Sequence, residues 1–356
     1  MNNTQYLRPI IKQFKRLKKI PWTHLTNLPT PIERLNGLEK KLNFNHIWIK
    51  RDDLTSPHYG GNKSRKLEYL LAGAEHEGKK IIKTVGGIGS NHAVATSIFC
   101  KLLGMKCKLF LVPQPNSEHC RTNLLLDYYY GAELNYCEDP SEYPEDIDIP
   151  RGGTSPIGNL GYVNAALELK EQIDEDILPE PDIIFVTKGS SGTLAGLLLG
   201  FELLGLKTIL YGVTIINSNT KEDVITHAMD TWELMKHTHD NLCEVERENL
   251  KNRLVVLDKF YGEGYGYTTV KGENAIRLIK KTDEILLDST YTGKTMSAMI
   301  SFIRSNKNDL LDKHILFWNT FNSVNVNEKI KNLNYRVLPK EFHKFFNGTI
   351  SIENTI

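Results

Sequence analysis

Long apolar runs are missing from this 356-residue chain, and nothing in it approaches the roughly 18 residues that a membrane-spanning helix needs. An excess of charge is missing too. Forty-four basic residues stand against 43 acidic ones, a formal net charge of +1, which argues against a nucleic-acid partner. Cysteine is sparse: Cys100, Cys107, Cys120, Cys137 and Cys243 are odd in number and form no CxxC pair. That spacing fits free thiols in a reducing cytoplasm and disfavours a zinc framework. His227, His237 and His239 have no acidic or cysteine partner at ligand spacing, so no metal is expected. Internal repeats, linkers and low-complexity tracts are also absent. The first 20 residues carry six basic residues and no acid but lack the apolar core of a signal peptide. The expectation there is a basic helix lying on the protein body.

What is present is ordinary globular composition, 40% hydrophobic and 24% charged, at a length that suits one large or two medium domains. Strand and helix patterns alternate. "HIWIKR" (46–51), "KIIKTVGG" (80–87), "KCKLFLV" (106–112), "DIIFVT" (182–187) and "KTILYGVTI" (207–215) read as strands. Between them, 64–78, 90–104 and 121–131 read as helices, with Ser90 as an N-cap and Gly78 and Gly104 as stops. Such alternation implies βαβ units, hence an α/β fold with parallel sheets covered by helices. Residues 216–260 look mainly helical and polar, and 139–159 look loop-like.

Three glycine-polar turns follow strands and precede helices: "GGIGSN" (86–91), "GGTSPIGN" (152–159) and "KGSSGT" (188–193). In the third, Gly189, Ser190, Ser191, Gly192 and Thr193 would present free backbone N–H groups and a helix N-terminus to a phosphate. A tight, well-capped βα turn is the competing reading. GxGxxG is incomplete, because His92 stands where its third glycine belongs, and no lysine follows "GSSG" as in a P-loop. Nor is "GSSGT" a GxSxG elbow, which leaves serine-hydrolase chemistry unsupported. A single phosphate fits better than a dinucleotide, and a one-phosphate cofactor often anchored by lysine is pyridoxal 5′-phosphate. Lys63, after "GGN" and at the mouth of a helix, sits where partial desolvation and nearby cations would lower its pKa.

Taken together and in order, "KRDDLTSPHYGGNKSRKLEYLL", "GGIGSNH", "KGSSGTLAGL", "GEGYGY" and "YTGKTM" resemble the D-cysteine desulfhydrase and 1-aminocyclopropane-1-carboxylate deaminase family. The resemblance runs from about Pro29 to about Asn322. It implies a two-domain fold-type II pyridoxal-phosphate enzyme related to the tryptophan synthase β-subunit, with the cofactor in the interdomain cleft. The large domain would comprise 1–65 and 175–356, and the small one 66–174. It further implies that Lys63 carries the cofactor, that Asn91 meets its phenolic oxygen, and that Gly189 to Thr193 with Lys66 hold its phosphate. Ser90 and His92 would bind the substrate carboxylate, Tyr265 and Tyr291 would face the substrate, and Thr320 would lie at the pyridine nitrogen. A hydroxyl at that nitrogen favours β-elimination over a long-lived carbanion. The family's usual partners are a small amino-acid substrate and a second copy of the chain, a homodimer, in the cytoplasm, with no membrane or nucleic acid.

Within the family, Thr292 in "YTGK" points to the desulfhydrase branch, whose products are pyruvate, ammonia and sulfide. The deaminase branch has glutamate at that position. Three positions depart from the pattern. Gly89 replaces a glutamine and would widen the pocket, Phe321 and Asn322 replace glycines, and Lys188 precedes the phosphate loop. The alternatives are the cyclopropane-opening deaminase and a cofactor-binding homologue with an altered substrate or no turnover.

Overall fold

The fold is seen in a computed structural model that describes residues 8–216, 220–239 and 241–349. From the N-terminus come α1 (Pro9–Gln13), β1 (Ile32–Arg34), α2 (Asn36–Leu42), β2 (Ile47–Lys50), α3 (Asn62–His76), β3 (Ile81–Gly87), α4 (Asn91–Leu102) and β4 (Lys106–Val112). There follow α5 (Glu118–Tyr129), β5 (Glu133–Tyr136), α6 (Pro156–Asp174), β6 (Ile183–Lys188), α7 (Gly192–Leu203), β7 (Ile209–Thr214) and α8 (Lys221–Thr238). The chain continues through α9 (Arg247–Arg253), β8 (Leu254–Leu257), α10 (Val270–Asp283), α11 (Thr292–Ser305), β9 (Ile315–Trp318) and α12 (Lys344–Asn347).

The strands form two sheets. One has six strands in the order β1-β2-β9-β6-β7-β8, all parallel except the antiparallel edge strand β1. The other is β3-β4-β5, all parallel. Helices cover both, so the α/β expectation matches the structure. β6 is buried along its whole length, and its residues 183–186 form an unbroken apolar run rather than an alternating one.

Packing divides the molecule around these sheets. The 156–174 helix contributes Leu160, Val163, Ala166 and Leu169 to the core of the six-stranded sheet. The C-terminal turns contribute Val326, Ile330, Phe342 and Phe345 to the core of the three-stranded sheet. The basic N-terminal segment does lie on the body, with Ile10, Ile11, Phe14 and Leu17 buried against α6 and α8 residues while its lysines face out. All five cysteines are free. No helix among the described residues is long and apolar enough to cross a membrane, and none of them forms a cluster of three or more His, Cys, Asp or Glu fit to hold a metal.

Candidate active site

The carboxyl ends of β3, β6 and β9 meet in one cleft between the two sheets, where ligands of open α/β sheets bind. Its wall carries Lys63, Ser90, Asn91, His92, Gly189, Ser190, Ser191, Thr193, Tyr265, Tyr291 and Thr320. Residues from five separate sequence motifs therefore converge. Lys66 and Gly192 stand just behind that wall.

At one end, α7 starts at the cleft. Its N-cap residue Ser191 has φ of 71°, a left-handed conformation uncommon for a residue with a side chain. Its buried hydroxyl has no hydrogen-bond partner. Facing it are two lysines whose hydrogen bonds go only to neutral oxygens. Lys63 Nζ donates to the Gly152 carbonyl at 3.3 Å, and Lys66 Nζ donates to the same carbonyl at 3.1 Å and to Thr154 Oγ1 at 3.3 Å. Burial lowers the Lys63 amine to about 8. Burial, with Lys63 as a cationic neighbour, holds Lys66 well below its ordinary value. Two buried amines beside an orphaned hydroxyl and a helix N-terminus make a cradle for an anion, whose charge would favour their protonated forms. Gly192 is required there, since a Cβ would lie 2.7 Å from Lys66 Nζ and 2.3 Å from Asn159 Oδ1. A phosphate monoester has the charge and acceptor count that this donor set leaves unsatisfied. Lys63, at the same edge, offers an amine for a carbonyl carbon. The residues present thus fit pyridoxal phosphate.

The opposite wall is the start of α4. Ser90 caps it, its hydroxyl accepting from the Ala93 N–H at 3.3 Å. The Asn91 carboxamide oxygen accepts from Tyr59 OH and from Asn123 Nδ2, each at 3.3 Å, so its own Nδ2 is the group left for the cleft. His92 Nε2 meets Thr84 Oγ1 at 3.1 Å, and that hydroxyl already donates to the Ile149 carbonyl at 2.8 Å. Nε2 therefore carries the proton. Burial first, then Lys63 and Lys66, hold the ring well below its usual pKa, so His92 is neutral.

Across the cleft, the Tyr265 and Tyr291 hydroxyls share a hydrogen bond. Burial raises Tyr265 to about 12 and Tyr291 well above its ordinary value, so both keep their protons. Asp288 positions the pair: it accepts from the backbone N–H of Thr290, Tyr291 and Thr292 at 3.0, 2.8 and 2.9 Å. Thr292, on which the branch assignment turned, is fully buried behind the wall, with its hydroxyl donating to Asp288 Oδ1 at 2.6 Å. It bears on the site through Asp288, which lines the cleft. The expected widening at Gly89 is not found. The Gln114 carboxamide fills that space, accepting from the Gly89 N–H at 3.1 Å.

Sequence reasoning missed Gln114, Asn123, Asp288 and the lysine partners Gly152 and Thr154. The last two lie in the second glycine turn, whose pattern was visible but whose partner was not. Away from the cleft, Tyr128 and Tyr129 are 39% and 44% exposed, while Tyr130 leans on the smaller core.

Comparison with known proteins points to the same cofactor. The family described as "Pyridoxal-phosphate dependent enzyme" matches residues 24–320. A putative 1-aminocyclopropane-1-carboxylate deaminase of Pyrococcus furiosus is 34% identical over 331 residues, covering 88% of this chain and 94% of that protein. A D-cysteine desulfhydrase of Klebsiella pneumoniae is 32% identical over 314 residues, covering 82% and 92%. The crystal structure of a homologue of the deaminase superposes with a TM-score of 0.73 at 30% identity, covering 90% of this chain and 98% of that one.

Proposed function

The chain belongs to the pyridoxal-phosphate-dependent enzymes, and we propose that within them it is a lyase that eliminates ammonia and a β-substituent from a small amino acid, as a D-cysteine desulfhydrase does. The observation that carries this reading is Lys63. It is an amine brought to about 8 by burial, free of any carboxylate partner, at the edge of an anion cradle and facing the start of α4.

Each group then has a task. Ser190, Ser191, Thr193 and the backbone of Gly189 and Gly192 would hold the phosphate, with Lys66 behind them supplying charge. Asn91 Nδ2 and Thr320, both on the cleft wall, would hold the cofactor's ring. Pyridoxal phosphate, when bound, supplies the electron sink for charge left at the substrate Cα. Lys63 Nζ, neutral in a useful fraction near pH 8, accepts the Cα proton. Ser90 and the N–H groups at the start of α4 hold the carboxylate. Tyr265 and Tyr291, both protonated, are placed to give a proton to the departing group.

A second reading, opening of 1-aminocyclopropane-1-carboxylate, is favoured by the name of the Pyrococcus relative and by Thr292 lying outside the cleft. Incubating the holoenzyme with both enantiomers of cysteine, serine and chloroalanine, and with the cyclopropane, separates the readings. Pyruvate with sulfide supports the first and 2-oxobutyrate the second. Release of no 2-oxo acid would leave a cofactor-binding homologue without this turnover. The cysteine usage and the family resemblance further suggest a cytoplasmic homodimer, which light scattering on the purified protein would check.

The cradle gives its own prediction. Gly192→Ala is expected to weaken pyridoxal-phosphate binding roughly ten- to a hundredfold, the value of one lost charge-assisted hydrogen bond, as Lys66 is pushed aside. Titrating apoprotein with cofactor measures it, and unchanged affinity would remove Lys66 from the phosphate site.

A further inference from the structure

Gln114 follows β4 in "VPQP", between Pro113 and Pro115. Prolines on both sides restrict its backbone, so the side chain starts from a stiff base. That side chain lies in a slot made by absent side chains. A Cβ on Gly87 would sit 2.4 Å from Gln114 Oε1, one on Gly89 would sit 2.7 Å from Nε2, and one on Gly266 would sit 3.3 Å from Nε2. Glycines from two different turns thus leave room for this carboxamide on the cleft wall, between the start of α4 and Tyr265, and Gly89 leaves room for Cys120 Sγ as well, 2.7 Å from where its Cβ would lie.

The carboxamide is held from both ends. Oε1 accepts from the Gly89 N–H at 3.1 Å, and Nε2 donates to Cys120 Sγ at 3.1 Å. Nε2 carries two hydrogens, so one donor remains. The Gly89 N–H is taken up by Oε1 and so is not itself available to a ligand. Polarised by that bond, the carboxamide of this cleft-lining residue passes donor character on to Nε2. Its neighbours, Ser90 and the first N–H groups of α4, form the anion-favouring end of a helix of 12 residues.

We propose that Gln114 is a specificity-determining residue whose free Nε2–H binds the carboxylate of the amino-acid substrate, together with Ser90 and the start of α4. The proposal rests on the function proposed above. It assigns to the β4–α5 loop a contact that the 86–91 turn would otherwise make, and it makes Gly89 a requirement of Gln114 rather than an enlargement of the pocket.

The test compares wild-type holoenzyme with Gln114→Glu and Gln114→Met. Glutamate keeps an acceptor for the Gly89 N–H but puts a negative charge where the donor was. Methionine keeps the volume and removes the donor. Binding of D-alanine and of D-alaninamide is followed by the change each causes in the visible spectrum of the bound cofactor, and KM and kcat are measured with whichever amino acid turns over. Gln114→Met should bind D-alanine roughly 10- to 100-fold more weakly, as expected for a lost hydrogen bond to a charged group. Gln114→Glu should lose the preference for the acid over the amide altogether. KM should rise in both, with kcat little changed and with cofactor affinity and melting temperature near wild type. An acid-to-amide preference equal to wild type in both variants would overturn the role of Gln114, even if the variants were less stable. A wild-type spectrum indifferent to every amino acid tried would instead overturn the proposed function and this contact with it.

Discussion

Lys63→Ala should abolish turnover, by about 10⁴-fold or more, because it removes both the nucleophile for the cofactor and the base for the Cα proton. The variant should still take up pyridoxal phosphate through the α7 cradle, but without the visible band of a lysine-linked cofactor. The same residue sets a pH dependence whose sign is fixed. Burial lowers its amine from 10.5 to about 8. Attachment of cofactor to apoprotein should therefore speed up with pH and level off above about 8, rather than near 10 as for an exposed lysine. In stability terms, the unfolded chain binds more protons than the folded one between about 8 and 10.5, so the apoprotein gains stability as pH rises through that window. Lys63→Ala should flatten that slope. Stopped-flow uptake and denaturant titrations at several pH values measure both effects. A rate still climbing past pH 9 would mean that Lys63 is solvated and not the poised amine described here.

How much of this could be read in the chain follows from how local each feature is. The strand Lys106–Val112 coincides with "KCKLFLV", and Ser90 caps its helix, because alternation and capping are decided within a few residues. The lysine turn and the phosphate loop were legible for the same reason. Partnerships across the chain were not. Lys66 meets Thr154, 88 residues on, and nothing near either residue announces the other. The strand Leu254–Leu257 escaped because its only sheet neighbour is β7, in a stretch otherwise polar and helical. The helix over 156–174 was obscured by the proline and glycines at its start, although proline suits the first turn of a helix. Gln114 was hidden most deeply. Its slot consists of missing side chains on Gly87, Gly89 and Gly266, and the loss at Gly89 reads as empty space until the fold brings the amide into it.

Glu168→Gln should destabilise the protein by about 3–5 kcal/mol, the penalty for stranding a buried charge. In sequence, Arg65 is the middle cation of "KSRK". In the fold it is 1% exposed and bonded to two carboxylates, Asp52 at 2.7 Å and Glu168 at 2.9 Å. Glu168 also takes Lys50 at 2.6 Å, and Asp52 takes the Tyr162 hydroxyl at 2.8 Å and the Trp318 indole N–H at 2.7 Å. Two cations and two anions, buried and balanced, thus tie β2, α3, α6 and β9 together. Removing one anion leaves Lys50 and Arg65 with Asp52 alone. Burial by itself would raise the Glu168 carboxyl, but Arg65 and then Lys50 pull it well below the usual carboxylate range. Its stabilisation is therefore complete above about pH 4.3 and is lost as pH falls below that. The single variant should be weaker at pH 7 and show a shallower acid transition in denaturant melts. Adding Lys50→Met to Glu168→Gln restores the charge balance and should recover much of the loss, because a neutral buried site costs less than an unbalanced one. Arg65 lies on the first turn of α3, between Lys63 and Lys66, so the single variant should also bind cofactor more weakly, and the double variant less so. A loss below about 1 kcal/mol would place this cluster among ordinary surface ion pairs and leave the position of Lys63 to other contacts.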